Sequence, residues 1–135
     1  MSYAASAALQ AALFAHLSGQ AALEGIGLYD ALPKESGAGA GETFVLIGAE
    51  EVRDASDQSG AGALHNLVIS VISEAAGFAA AKSLASAISE ALAGAELPLT
   101  RGRLVQLSFE RAIARRQGAG QRRRIDMTFA ARIEL

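Results

Sequence analysis

Apolar residues recur along this chain with two different periods, and the switches between them mark out its elements. Leu9, Leu13 and Leu17 return every four residues, with Ala5 and Ala12 beside them. That spacing predicts an amphipathic helix over residues 4–17, stopped near Ser18-Gly19. Leu28-Tyr29 reads as a short extended piece before Pro33. The apolar run 44–47 predicts a strand continuing to about Val52. Residues 64–73 alternate, with Leu67, Ile69 and Val71 on one side and Val68, Ser70 and Ile72 on the other. This predicts a strand whose second face is also mostly buried. At Phe78 the period becomes helical. Phe78, Ala81, Ala85, Ile88 and Leu92 make one stripe, Lys82, Ser86, Ser89 and Glu90 lie away from it, and Gly94 is the natural stop.

The last third carries the clearest pattern. Val105, Leu107, Phe109 and Ile113 share one face, interrupted by Arg111. Ile125, Met127, Phe129, Ala131 and Ile133 share another, opposed by Arg124, Asp126, Thr128, Arg132 and Glu134. Two half-buried strands follow, 103–116 and 122–135, joined as a hairpin through Gln-Gly-Ala-Gly-Gln at 117–121. Each would reach ~46 Å at ~3.3 Å per residue, so the tip is expected to project as an arm. The segments 34–41 and 54–62 are loops by their Gly and polar content. The fold class is α+β: an antiparallel sheet of about four strands in the order α-β-β-α-β-β, with helices packed on one face and a long C-terminal hairpin. At 135 residues, 1–135 is expected to be a single domain.

Charge sharpens this picture. From Arg101 onward there are nine arginines against Glu110, Asp126 and Glu134, a net +6. Residues 1–100 carry Lys34, Arg53 and Lys82 against eleven acids, a net −8. The formal total of −2 hides two electrical ends. Arg115, Arg116, Arg122, Arg123 and Arg124 flank the hairpin turn and form a candidate docking patch, because the planar guanidinium pairs carboxylates bidentately. The acidic remainder supplies a complementary surface, so head-to-tail self-association is plausible. A small nucleic-acid-binding module built on the same arginines is the alternative from another class. The interleaved aromatics of a single-strand binder are missing, since Phe109 and Phe129 read as core.

Little points to chemistry. With no cysteine, there is no disulfide, thiol nucleophile or thiolate metal ligand. His16 and His65 stand alone and read as partly buried polar residues rather than ligands. No Gly-x-Ser-x-Gly elbow is present. The run 37–41 lacks the Gly-Lys-Ser/Thr ending of a phosphate loop. Glu50, Glu51, Asp54 and Asp57 read as a solvated acidic stretch rather than a calcium loop. We expect no enzyme, cofactor or metal. The first basic residue is Lys34 and the Ala-rich opening is only weakly apolar, so neither a secretory signal nor a membrane span is expected.

Several strings, in order, resemble a known family. They are Leu28-Tyr29-Asp30-Ala31-Leu32-Pro33, then Phe44-Val45-Leu46-Ile47-Gly48, then His65 leading the next strand. Gly77-Phe78-Ala79-Ala80-Ala81-Lys82, Arg101-Gly102-Arg103-Leu104-Val105 and Met127-Thr128-Phe129-Ala130-Ala131 follow. Together they resemble the tail terminator, or tail-completion, proteins of long-tailed phages and phage-like gene transfer agents. The chain departs from that family at Val71-Ile72-Ser73, where an aromatic is common, and in its Gly- and Ala-rich loop before Phe44. The resemblance implies a structural virion protein of the head-proximal tail end, made and assembled in the bacterial cytoplasm. It implies a homohexameric ring that caps the tail tube protein, stops its polymerisation and meets the connector or stopper protein. Double-stranded DNA would transit the lumen without specific binding, past an acidic lining for which Glu50, Glu51, Asp54 and Asp57 are candidates. Another head-tail joining protein, a stopper or a minor tail component, is the nearest alternative within the same class.

Overall fold

The computed structural model describes residues 3–31, 43–58, 60–75, 77–118 and 122–135. Helix α1 (Ser6–Ser18) and a 3-10 turn (Ala21–Leu23) precede strands β1 (Gly27–Tyr29), β2 (Thr43–Asp54) and β3 (Gly62–Ser73). Helix α2 (Ala79–Leu92) and the hairpin β4 (Arg103–Gln117) and β5 (Arg122–Glu134) complete the chain. The strands form one sheet in the order β1-β2-β3-β5-β4.

The architecture is α+β with both helices in one core, but the sheet has five strands and is mixed. The short piece around Leu28-Tyr29 pairs in parallel with β2, Gly27 beside Phe44 and Tyr29 beside Leu46. Three residues are too few to show a period, so only the tertiary pairing turns them into a strand. The other three pairings are antiparallel.

One face of the sheet holds the core. Val45, Ile47, Leu67, Ile69, Val71, Ile125, Met127, Phe129, Ala131 and Ile133 meet Leu9, Leu13 and Leu17 of α1 and Ala81, Leu84, Ala85, Ile88 and Leu92 of α2. Helix α1 has no capping side chain and no acid in its first turn, so it stands by this burial rather than by its ends. In its last turn His16 Nε2 donates to the Ala91 carbonyl at 2.9 Å and ties α1 to the end of α2. Gly102 makes the turn into β4 with φ +80°; an added Cβ would lie 2.9 Å from Ile133 Cγ2 and 3.0 Å from the Glu134 carbonyl.

Two sequence expectations about the hairpin are corrected. First, Ile113 does not share a face with Phe109. The register of β4 on β5 shifts between Leu104 and Gln106 and again between Phe109 and Arg111. Each extra residue inverts the alternation that follows. Leu107 and Phe109 therefore pair with Ala131 and Phe129 on the helix side, while Ile113 pairs with Asp126 on the opposite face. Second, the hairpin does not project as an arm. Strand β5 is bonded to β3 along nearly all its length, from Gly62 opposite Glu134 to Ser73 opposite Arg123. The tip is thus part of the sheet, and β4 is its exposed edge. The loop 34–41 lies outside the described residues, as does most of the hairpin turn at 117–121.

Candidate interaction surface

The pairing puts the two charged groups singled out in the sequence at opposite ends of the strands. Arg115, Arg116, Arg122, Arg123 and Arg124 gather where β4 meets β5, beside the end of β3. Asp54 and Asp57 sit at the β2–β3 connection, next to the Glu134 end of β5. Eleven residue steps along β3 separate the two ends, roughly 36 Å at ~3.3 Å per residue.

The five arginines are not equivalent. Arg122 pairs with Glu74 at 3.2 Å and lies 6.0 Å over the Phe44 ring. Arg123 lies 5.7 Å over the Phe78 ring at the start of α2. Arg124 donates to Asp126 at 2.8 Å, and Arg115 reaches the other oxygen of the same carboxylate at 3.2 Å. Ser70 Oγ also donates to Asp126. Burial works to raise the Asp126 carboxyl, but the hydrogen bonds from Ser70, Arg124 and Arg115 and the Arg124 charge outweigh it and hold it below its ordinary value of 3.8. Arg116 is exposed and, like Arg111 on the same strand, makes no ion pair among the described residues. These two, with half-exposed Arg115, are the cations turned outward at the edge.

The acids divide as well. A register shift between Gly48 and Glu50 turns Glu50 to the helix side. There its carboxylate accepts from Ser6 Oγ at 2.6 Å and from His65 Nδ1 at 2.9 Å. His65 has no exposed surface and its Nε2 has no partner, so it is more deeply buried than the sequence suggested. Glu51 points to the opposite face, 4.0 Å from Arg53. Ser56 donates to Asp54 at 2.7 Å and lowers its pKa below the ordinary value. Asp57 accepts from the Gly60 amide at 3.0 Å. Glu50 thus leaves the acidic group, while Glu51, Asp54 and Asp57 stay at the surface. Among the described residues no group of three or more His, Asp or Glu stands together to hold a metal ion, and no helix is long and apolar enough to cross a membrane.

Two surfaces went unnoticed in the sequence. The outer side of α1 exposes Ala7, Gln10, Ala11, Phe14 and Ala15 next to Tyr3, around a shallow depression of about 560 Å³. Its signal was present: apart from His16, α1 contains no ionisable side chain. A surface helix ordinarily carries charge on its outer side. The second is a groove of about 510 Å³ between α2 and the hairpin, with Phe109, Ala112, Ala114 and Met127 at its floor. Phe109, expected in the core, is 47% exposed and contacts Phe129 edge-on at 5.8 Å. It lies on the edge strand, beyond the cover of α2.

This sheet, with its paired helices and long edge hairpin, matches one known family along nearly its whole length. Residues 7–134 match the family profile described as tail completion protein gp17. The chain belongs to that family and is a phage-type tail structural protein. Among solved structures it is similar to a chain of "Virion of native gene transfer agent (GTA) particle", with 53% identity and a TM-score of 0.89, over 98% of this chain and 99% of that one. No curated protein matches the sequence.

Proposed function

We propose that the protein is a ring-forming tail terminator of a phage-like particle. It caps the head-proximal end of the tail tube, stops tube polymerisation and joins the tube to the capsid connector. DNA passes through the lumen of a homohexameric ring, and the protein performs no catalysis. The observation that carries this reading is the 53% identity, over 98% of the chain, to a component of a gene transfer agent virion. A family match from residue 7 to 134 supports it.

Within this reading, Arg115 and Arg116 meet an adjacent subunit or the connector, because they face outward at the sheet edge. Arg122, Arg123 and Arg124 shape that tip through their contacts with Glu74, Phe44, Phe78 and Asp126. Glu51, Asp54 and Asp57 face the DNA channel, where negative charge lets a polyanion slide without sticking. Glu50, bonded to Ser6 and His65, serves the fold. Electron microscopy of particles made without the protein tests the function. Tubes of uncontrolled length with unattached capsids are expected. Tails of normal fixed length that merely fail to join would replace termination with a stopper role. Intact, functional particles would remove the structural role altogether.

A further inference from the structure

The subunit carries two largely apolar surfaces on opposite halves of its sheet, one without charged side chains and one rimmed by Lys82 and Glu90. Helix α1 covers the β2 side: Leu9 and Leu13 meet Ile47 and Leu67, and Gln10 Nε2 donates to Asp30 just beyond β1 at 3.3 Å. Its outer side leaves Phe14 at 39% and Tyr3 at 68% exposed, with Ala7 and Ala11 between them. At the far edge, the groove between α2 and β4 exposes Phe109 over a floor of Ala112, Ala114 and Met127. A ridge of small residues bearing one ring lies on the β2 half of the sheet, and a shallow apolar groove lies at the β4 edge. Apolar patches of this kind mark contact sites.

Charge fits the same pairing. Strand β4 carries Arg103, Arg111, Arg115 and Arg116 against Glu110 alone. The opposite side, described residues 3–31 around α1 and β1, carries Glu24 and Asp30 and no lysine or arginine. One side of the subunit is basic and the other acidic, so a second copy is the partner whose charge complements each. Distinct complementary surfaces make a heterologous contact, which closes into a ring when the rotation permits. Strand addition at β4 fits less well, since two bulges and a row of arginines are the devices that keep edge strands from pairing. Side-chain docking into the groove remains.

We propose that the outer side of α1 in one subunit seats in the α2–β4 groove of the next, with Phe14 packing beside Phe109. This rests on the ring reading above and adds which surfaces meet. The chain has no cysteine, so an introduced pair reports one contact. Ala11→Cys and Ala112→Cys, combined in one chain, are assembled into tails in producing cells and then oxidised. A ladder of disulfide-linked multimers should appear on a non-reducing gel, with loss of the monomer band, while each single variant stays monomeric. Monomer alone from normally terminated tails would overturn the docking and leave the ring standing. Cross-links to a tube or connector protein would give the surface to that partner and overturn it too. Like-to-like dimers from a single variant would replace the head-to-tail contact with a two-fold one. If loss of the protein leaves tails unchanged, the ring reading itself falls. As a second check, Phe14→Glu should keep the wild-type circular dichroism spectrum and melting temperature yet abolish tail termination. Termination at the wild-type level would refute the contact.

Discussion

Glu50→Ala is expected to destabilise the fold by far more than an ordinary surface change. The carboxylate holds two donors from separate elements: Ser6 Oγ at the start of α1 and His65 Nδ1 in β3. His65 is fully buried, and its Nε2 is already without a partner. Truncation takes away the one hydrogen bond of an imidazole that has no exposed surface in the folded chain. A buried donor left unsatisfied costs ~1–3 kcal/mol, and the Ser6 bond adds ~0.5–1.5 kcal/mol. The expected loss is therefore about 2–4 kcal/mol, a large share of the ~5–15 kcal/mol of a typical domain. Glu50→Gln keeps one acceptor and should lose about half as much. Replacing both partners, Glu50→Ala with His65→Leu, should be less damaging than the sum of the single changes, because no polar group is then stranded. Urea unfolding followed by circular dichroism at fixed protein concentration reads wild type, Glu50→Ala, Glu50→Gln, His65→Leu and the double variant. A Glu50→Ala midpoint within ~0.5 kcal/mol of wild type, at unchanged slope, would refute the reasoning.

Four further outcomes follow. Asp126 has a lowered carboxyl, so it contributes stability that is complete above its ordinary pKa of 3.8 and is lost as pH falls through the lower folded value. Asp126→Asn should therefore flatten the loss of stability as pH falls below the ordinary carboxyl value of 3.8, in acid titrations followed by circular dichroism. Gly102→Ala should cost about 1–3 kcal/mol in thermal melts, because a Cβ at φ +80° is strained and crowds Ile133 and the Glu134 carbonyl. Leu13→Ala, at a buried position between α1 and the sheet, should cost ~2–5 kcal/mol in urea unfolding. Arg111→Glu with Arg116→Glu should leave the isolated chain's melting temperature within a few degrees while reducing assembly into tails, since neither arginine has an ion pair among the described residues.

The periods of the chain were enough to locate six of its elements. The fourfold leucines of α1, the alanine stripe of α2 and the alternation of β3 and β5 are local consequences of which face is buried, and each falls where its residues predict. The absent cysteines and the lopsided charge were equally plain, and ordered strings across the chain pointed to the family that the full-length match establishes.

What the sequence by itself could not decide was how those elements share edges and faces. Strand β1 exists because β2 offers it a parallel neighbour, not because three residues carry a pattern. Phe109 and Ile113 look alike in the alternation of β4, yet a bulge between Phe109 and Arg111 sends them to opposite sides. Another register shift turns Glu50 inward to His65 while Glu51 stays outside. The five arginines became three that bind within the subunit, one shared with Asp126 and one left outward. A residue's period depends on its own few neighbours. Its register, its edge and its partner depend on residues tens of positions away, and only the folded chain brings them together.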